Sequence, residues 1–366
     1  MMLDTVHGRD AGPLRIVMVA HSRMVGGMQR HVLTLANALA AQGHSLAYAG
    51  PLDGWLGEQM RAAGHRCEHV PMHGTYDLLS AWRLARLARQ WRADVLHSHS
   101  PRGARYAVWA ARRASVPTVE TAHTTSPWKW FGSPVIAVSQ AVRQVLLNQG
   151  LPGDRITVVY SGIPDFGAVT PPRPGPISAQ RPLALGMAAR FNLIKGQDLA
   201  IEASALLHPR LPLRLRLAGS LDTAWAQTMR NLAHARGLDG VVEFSGECSD
   251  IAALLADLDG LLAPSRFEAF GLTLLEAFSA GRPVIGTRIG GIPEVVEHGR
   301  TGLLCEPDSP AALAAAIERF AADDAWREQA GRATRQVFET RFTVDAMLAG
   351  TLKVYQRAMQ AARTNA

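Results

Sequence analysis

The sequence is short of cysteine. Its 366 residues hold three, Cys67, Cys248 and Cys305, scattered along the chain. No pair has metal-knuckle spacing, and three thiols do not make the disulfide framework of a small secreted domain. A reduced, cytoplasmic protein is the simplest expectation. Long apolar runs are also missing, since no stretch approaches the roughly 18 residues of a membrane-crossing helix. Asp4, His7, Arg9 and Asp10 precede any apolar run, which is not a signal-peptide pattern. Internal repeats and nucleic-acid recognition motifs are absent, so the basic balance does not by itself point to nucleic acid.

Acidic residues are scarce in one half only. Residues 1–166 hold 17 Lys and Arg against 10 Asp and Glu, leaving 21 of each sign to the remainder. The whole net charge of +7 therefore belongs to the N-terminal half, which points to an anionic partner there. What is present is otherwise ordinary: 48% hydrophobic and 19% charged residues, in a chain long enough for two domains with separate cores. Pro171-Pro172-Arg173-Pro174-Gly175-Pro176 and then Pro182 read as an extended linker. The expected parts are residues 1–166, a linker over 167–182, a second domain over 183–343 and a helix over 344–366. Short apolar strands alternate with helical patterns on both sides of the linker. Ile16–Ala20 precedes Gln29–Ala41, and Val135–Val138 precedes Gln140–Gln149. Later, Leu183–Ala188 precedes Gln197–Leu207, Leu213–Ala218 follows, and Val241–Phe244 precedes Ile251–Ala256. Such alternation predicts two doubly wound α/β domains with parallel sheets, taking ligands at the carboxyl ends of the strands.

The chemistry concentrates in one run, Pro264-Ser265-Arg266-Phe267-Glu268-Ala269-Phe270-Gly271-Leu272-Thr273-Leu274-Leu275-Glu276. Gly281-Arg282-Pro283-Val284 and Gly290-Gly291-Ile292-Pro293-Glu294 follow it. Leu261-Leu262-Ala263 reads as a buried strand and Leu272 to Ala280 as a helix. Gly271 then lies near a helix N-terminus, where free N–H groups and the positive dipole end suit a phosphate. Glu276 sits among Leu274, Leu275, Ala277 and Phe278. A carboxylate there is costly unless it accepts hydrogen bonds; a ribose diol could donate two, or an arginine could answer it. Glu268 could accept from a sugar hydroxyl, or simply complement the helix dipole.

The whole block resembles the donor-binding signature of the family 4 glycosyltransferases, which are retaining enzymes of GT-B fold. The resemblance implies two Rossmann-like domains facing a cleft, with the C-terminal helix crossing back onto the first. It implies a metal-independent transferase that needs no cofactor. The donor would be a nucleotide-sugar, a UDP-sugar first and a GDP-sugar second. The acceptor would be a hydroxyl of a glycan or lipid-linked molecule, in lipopolysaccharide, capsule or exopolysaccharide synthesis. Arg190 and Lys195, after the strand Leu183–Ala188, match the family's diphosphate clamp; Ala189 stands where the family usually has glycine. Gly26 and Gly27 stand where the first domain meets the donor phosphate and so couples the domains across the cleft. His123 resembles the family's histidine near the donor sugar. The catalytic set is then His123, Glu268, Arg190 and Lys195. Gly246, Phe270, Gly271, Leu272, Thr273 and Glu276 complete the donor site. Ser161-Gly162-Ile163 resembles the family's Asn-Gly-Val/Ile turn, with Ser for Asn, and Pro164 intervenes before Asp165, which is given no ligand role.

The acceptor side is read from the basic half. Arg30 and His31 lie just inside the helix after Gly26-Gly27. Trp82 to Arg92 is amphipathic, with Leu84, Leu87, Ala88 and Trp91 in one stripe and Arg86, Arg89 and Trp82 opposite. That is either a core-facing helix with a solvated basic face or one that also touches an anionic membrane surface. Trp128-Lys129-Trp130-Phe131 places three aromatics on a loop, with Trp128 and Trp130 as acceptor-side candidates. Peripheral contact at the inner membrane face is the corresponding expectation. Asp257-Leu258-Asp259 and His97-Ser98-His99 invite metal readings, but the first ends a helix and two histidines do not complete a zinc site, so no metal is expected. Two other functions share the architecture: a nucleotide-sugar epimerase, for which the first domain is poor in acids, and a non-catalytic nucleotide-sugar-binding subunit, for which the clamp is too complete.

Overall fold

The computed structural model describes residues 12–124, 130–167, 175–248 and 250–364. Trp128 and the prolines 171, 172 and 174 lie outside the described residues. Two compact units emerge. The first takes in the described parts of Met1–Val138, Arg143–Gly162 and Val344–Ala366, and the second those of Ser139–Val142 and Ile163–Thr343.

The first unit carries seven strands: β1 (Arg15–Val19), β2 (Ser45–Gly50), β3 (Arg66–His69), β4 (Val95–Ser98), β5 (Thr118–Ala122), β6 (Val135–Ala137) and β7 (Ile156–Val158). Every pairing is parallel, in the order β3-β2-β1-β4-β5-β6-β7. The winding reverses between β1 and β4, the position at which open α/β sheets bind ligands. The register pairs Ile16 with Leu46 and Val17 with Leu96. Successive residues of β1 serve opposite faces. Ile16 and Met18 pack with Val32, Leu35 and Leu39 of the helix Gly27–Ala41. Val17 and Val19 pack with Leu84, Leu87 and Ala88 of the helix Leu78–Gln90. A sheet buried on both faces needs this continuous apolar run.

The C-terminal helix Val344–Thr364 belongs to the first unit. Met347, Leu348, Thr351, Val354, Tyr355 and Ala358 are buried, a stripe at spacings of three and four. All but Thr351 join the Ile16 cluster. Truncating one such leucine costs about 2–5 kcal/mol.

The second unit repeats the winding with β8 (Leu183–Ala188), β9 (Leu213–Ala218), β10 (Val242–Gly246), β11 (Gly260–Ala263), β12 (Val284–Thr287) and β13 (Gly302–Cys305). Its parallel order is β10-β9-β8-β11-β12-β13, so its reversal lies between β8 and β11. The core joins Leu185, Met187, Leu215 and Leu217 to Leu199, Ala203 and Leu207 of the helix Gln197–Leu207.

Element ends move slightly from the sequence expectation. β10 runs over Val242–Gly246, one residue later at its start and two at its end than the expected Val241–Phe244, and the Val241 and Val242 amides both turn back onto the Leu238 carbonyl at 2.9 and 3.1 Å. The first helix opens at Gly27, two residues before Gln29, since the Arg30 amide already bonds the Gly26 carbonyl at 3.1 Å. The basic segment starting at Trp82 lies in the helix Leu78–Gln90, which Asp77 caps by accepting from the Ser80 amide. That helix ends before Arg92, whose φ of 51° is left-handed. Among the described residues, no helix is long and apolar enough to cross a membrane.

Candidate active site

Two loops meet at the reversal of the second sheet. One follows β8 and carries Arg190 and Lys195; the other follows β11 and carries Glu268. The first is shaped by its own polar side chains. Asn192 accepts from the Lys195 amide at 3.2 Å, and the buried Gln197 donates to the Arg190 carbonyl at 2.9 Å. Gly196 closes it at φ 72°, where a Cβ would stand 2.1 Å from the Pro264 carbonyl oxygen. Only glycine allows that approach.

Arg266 joins the loops. Its amide donates to the Ile194 carbonyl at 2.8 Å, and its guanidinium bonds the Leu193 carbonyl at 2.7 Å. The same guanidinium grips Asp198 at 2.8 and 2.7 Å and Asp308 at 2.5 Å. These carboxylates push the arginine's pKa further up, with Asp198 the first cause. A bidentate pair of this kind fixes geometry as well as charge. Arg266, Asp198, Asn192 and Gln197 escaped the sequence reading. The usable signals were an Asn three residues before Lys195, a capping spacing, and an arginine two before Glu268.

Lys195 Nζ lies 2.5 Å from Glu268 Oε2, so two candidates from distant stretches form one ion pair. Both side chains stay partly accessible, at 23% and 16%. Such a pair adds little stability, but it holds both groups in place. Arg190 is exposed and has no ion pair among the described residues, leaving it available to an anion.

The Glu268 loop rests on the glycines after β12. A Cβ on Gly290, at φ 52°, would stand 1.8 Å from the Glu268 carbonyl oxygen; one on Gly291 would stand 2.5 Å from that of Ala269. The Gly291 amide donates to the Glu268 carbonyl at 3.0 Å. Phe270 is buried edge-on against Phe342, 5.8 Å between centroids. Gly271, at φ 94°, then opens the helix Leu272–Ser279, and no side chain caps it. Leu272 and Thr273 in its first turn are half-buried. Glu276 is buried on this helix. It also acts on Cys248, whose thiol pKa is raised by burial first and by Asp250 and Glu276 among the nearby charges. The Gly246-Glu247-Cys248 strand end therefore lies within reach of the Glu276 field. Gly246 itself has φ 74° and accepts from the Gly219 amide at 2.7 Å.

The two aspartates set aside as metal ligands are spent on structure. Asp259 is buried and accepts from the Ala184 amide and from Arg181, both at 2.9 Å, while Asp257 meets Arg216 at 3.3 Å. Asp165 faces Arg335 through two bonds of 2.5 Å, which hold its carboxyl down to about 2.

In the first unit, histidines gather at the carboxyl ends of β4 and β5. His31 is buried in the helix Gly27–Ala41, and its Nδ1 lies 3.1 Å from Ser161 Oγ. His97 bridges Tyr355 Oη at 2.6 Å and Thr121 Oγ1 at 2.7 Å. His99 Nδ1 lies 3.2 Å from Nε2 of the half-buried His123. The His31 and His123 ring centroids are 4.7 Å apart. Burial pulls His31 down to about 4 and His97 to about 3. His99 and His123 lie well below their usual range, from burial first and then from neighbouring imidazoles. All four are neutral at pH 7. In the sequence His31, His123 and the pair His97 and His99 stand apart; the topology makes them one cluster. Gly26 is extended and precedes the helix that Gly27 opens, and Arg30 is exposed. Trp130 is half-buried and donates to the Ser133 carbonyl at 2.7 Å.

Two parallel α/β units of identical winding, with a basic loop, an acidic loop and an uncapped helix end at one reversal point, define the layout of a GT-B glycosyltransferase. Residues 175–337 match the family Glycosyl transferases group 1, and residues 25–165 match Glycosyltransferase Family 4. The chain is 30% identical over 406 aligned residues to a glycogen synthase of Mycobacterium tuberculosis, with 96% of each covered. A glycosyltransferase structure from Rickettsia africae has a TM-score of 0.86 at 21% identity, covering 95% of this chain and 99% of that one. The Anabaena protein Alr3699/HepE, solved with UDP and glucose, has a TM-score of 0.80 at 21% identity, covering 94% and 99%. The chain belongs to glycosyltransferase family 4 and carries its group 1 transferase domain.

Proposed function

We propose that the protein transfers a sugar from a nucleotide-diphosphate sugar to a hydroxyl of a glycan or lipid-linked acceptor, with retention at the anomeric carbon. A UDP-sugar is the first choice of donor, which the UDP bound to the Anabaena neighbour supports; a GDP-sugar is the second. The observation carrying the reading is the convergence of Arg190, the Lys195–Glu268 pair and the uncapped Gly271-Leu272 helix end at one strand reversal.

The chemistry follows from charge. The bond from the anomeric carbon to the diphosphate breaks, and the departing oxygens gain charge. Arg190, Lys195 and the Leu272 and Thr273 amides meet that charge without a divalent ion among the phosphates. The acceptor oxygen bonds the same face of the sugar, and its proton passes to the leaving phosphate. Lys195 turning toward the phosphate frees Glu268 to accept from a sugar hydroxyl. Glu276 accepts from the ribose diol. His123, neutral at pH 7, is assigned to the donor sugar, with Arg30, His31 and Trp130 on the acceptor side.

An envelope or capsular glycan on an anionic lipid carrier fits the first unit. Tyr76, Leu78, Leu79 and Trp82 are 87%, 70%, 56% and 49% exposed at the start of one helix. Arg86 is also exposed, stacked 5.3 Å from the Trp82 ring centroid. Aromatic and basic groups on one helix face suit an anionic interface.

The test is slow hydrolysis of a panel of UDP- and GDP-sugars by the purified protein, followed by NMR with chelator present. The reading predicts release of the sugar from one donor with its anomeric configuration kept at first appearance. Inverted sugar, or release abolished by chelator, contradicts it.

A further inference from the structure

We propose that His31, His99 and His123 form a binding site for one divalent transition-metal cation of the zinc class. All three histidines lie in the first unit; the sugar-transfer reading assigns His123 to the donor sugar and His31 to the acceptor side, so the test reads bound metal and not transfer.

The geometry carries it. Taking one ring nitrogen from each histidine, the three atoms lie within 4.8 Å of one another. A tetrahedral ion with metal–nitrogen bonds of about 2.0–2.1 Å spaces its ligands roughly 3.3 Å apart. The His99 Nδ1 to His123 Nε2 separation of 3.2 Å already has that length, so only the third ligand must close in. The residues come from different elements: His31 from a helix, His99 from the end of β4 and His123 from the end of β5. The His99 amide is tied to the sheet through the Val19 carbonyl at 3.0 Å, and the His31 and His99 rings have neighbours behind them. Ser161 steadies His31 at 3.1 Å, and the His97 ring lies 4.0 Å from that of His99 between Tyr355 and Thr121. Outer contacts of this kind orient metal-binding imidazoles.

His123 is half-buried where the others are buried, which gives an ion its way in. Three imidazoles leave a fourth position open to an oxygen ligand, the arrangement of reactive rather than structural zinc sites. Magnesium and calcium prefer oxygen ligands and are not expected to compete.

Chelator-stripped full-length protein is dialysed against zinc chloride with excess magnesium, and bound metal is counted by mass spectrometry. Cobalt(II) provides a spectroscopic probe. We expect one equivalent of zinc. Cobalt should give the visible bands of a low-symmetry nitrogen-ligated centre, without the near-ultraviolet band of a thiolate ligand. His31→Gln, His99→Gln and His123→Gln should each weaken binding by at least the roughly 10–100-fold that losing an outer-shell partner costs. His234→Gln, at an exposed histidine paired with Asp239, should leave it unchanged. Circular dichroism selects the folded variants, and the cobalt spectrum of the unaltered protein stands if any variant fails to fold. Substoichiometric zinc on folded protein, a thiolate band, or affinity retained in the folded cluster variants overturns the site.

Discussion

At the scale of single residues, the proposed donor site divides into groups assigned to the ligand and groups that hold them. Arg190→Ala or Lys195→Ala should cost about 1.5–3 kcal/mol in donor or transition-state binding, or roughly 10–150-fold, read as kcat/KM or UDP affinity. Full activity in the double variant contradicts the clamp. Arg266→Ala removes a positioning residue, so it should lower UDP affinity, while Arg266→Lys, which keeps the charge but loses the fork, should restore little. Equal rescue by lysine would reduce Arg266 to a point charge. The residues assigned to the donor stood out in the sequence because Glu268, Gly271 and Glu276 sit at fixed spacings around a turn. Arg266, Asp198 and Asp308 were not, because their pairing spans up to 68 residues and nothing local in the chain signals it.

At the scale of elements, the glycines locate the loops. Gly290→Ala puts a Cβ onto the Glu268 carbonyl at a left-handed φ, so the Glu268 loop must move. Thermal unfolding should show a loss of more than about 1 kcal/mol, and UDP binding should fall further than that loss of stability explains. Unchanged UDP binding would mean that the loop position does not govern the site. The Gly290-Gly291 pair was visible in the sequence as part of the signature, but its reason, direct contact with the Glu268 loop, is tertiary. The strands and their winding were readable from apolar runs and helix spacing. Their ends were not, since the first helix, for one, starts where a single backbone bond from the Arg30 amide to the Gly26 carbonyl dictates.

At the scale of the whole molecule, the basic half was readable as charge, but the histidine cluster was hidden because β4 and β5 become neighbours only in the sheet. That cluster sets an acid limit. His31, with His97, His99, His123 and Tyr355 around it, stays neutral until about pH 4, whereas in the unfolded chain it protonates near its ordinary value of 6.5. The unfolded state then binds more protons below pH 6.5, and stability falls as pH drops from there toward 4. Denaturant unfolding in chelator should show a shallower acid slope for folded His31→Gln than for the unaltered protein; equal slopes contradict the neutral cluster. The exposed Tyr76, Leu78, Leu79 and Trp82 face should bind anionic vesicles at low salt and release them at high salt. No sedimentation with such vesicles removes the membrane role. The central claim, a nucleotide-sugar donor site in the second unit, is tested most directly by calorimetric titration with UDP, GDP and ADP, with Glu276→Ala in parallel. The account predicts that one nucleotide, UDP first, binds at micromolar levels and that the variant loses it; undiminished binding by folded Glu276→Ala, or no binding of any nucleotide to the intact protein, contradicts it.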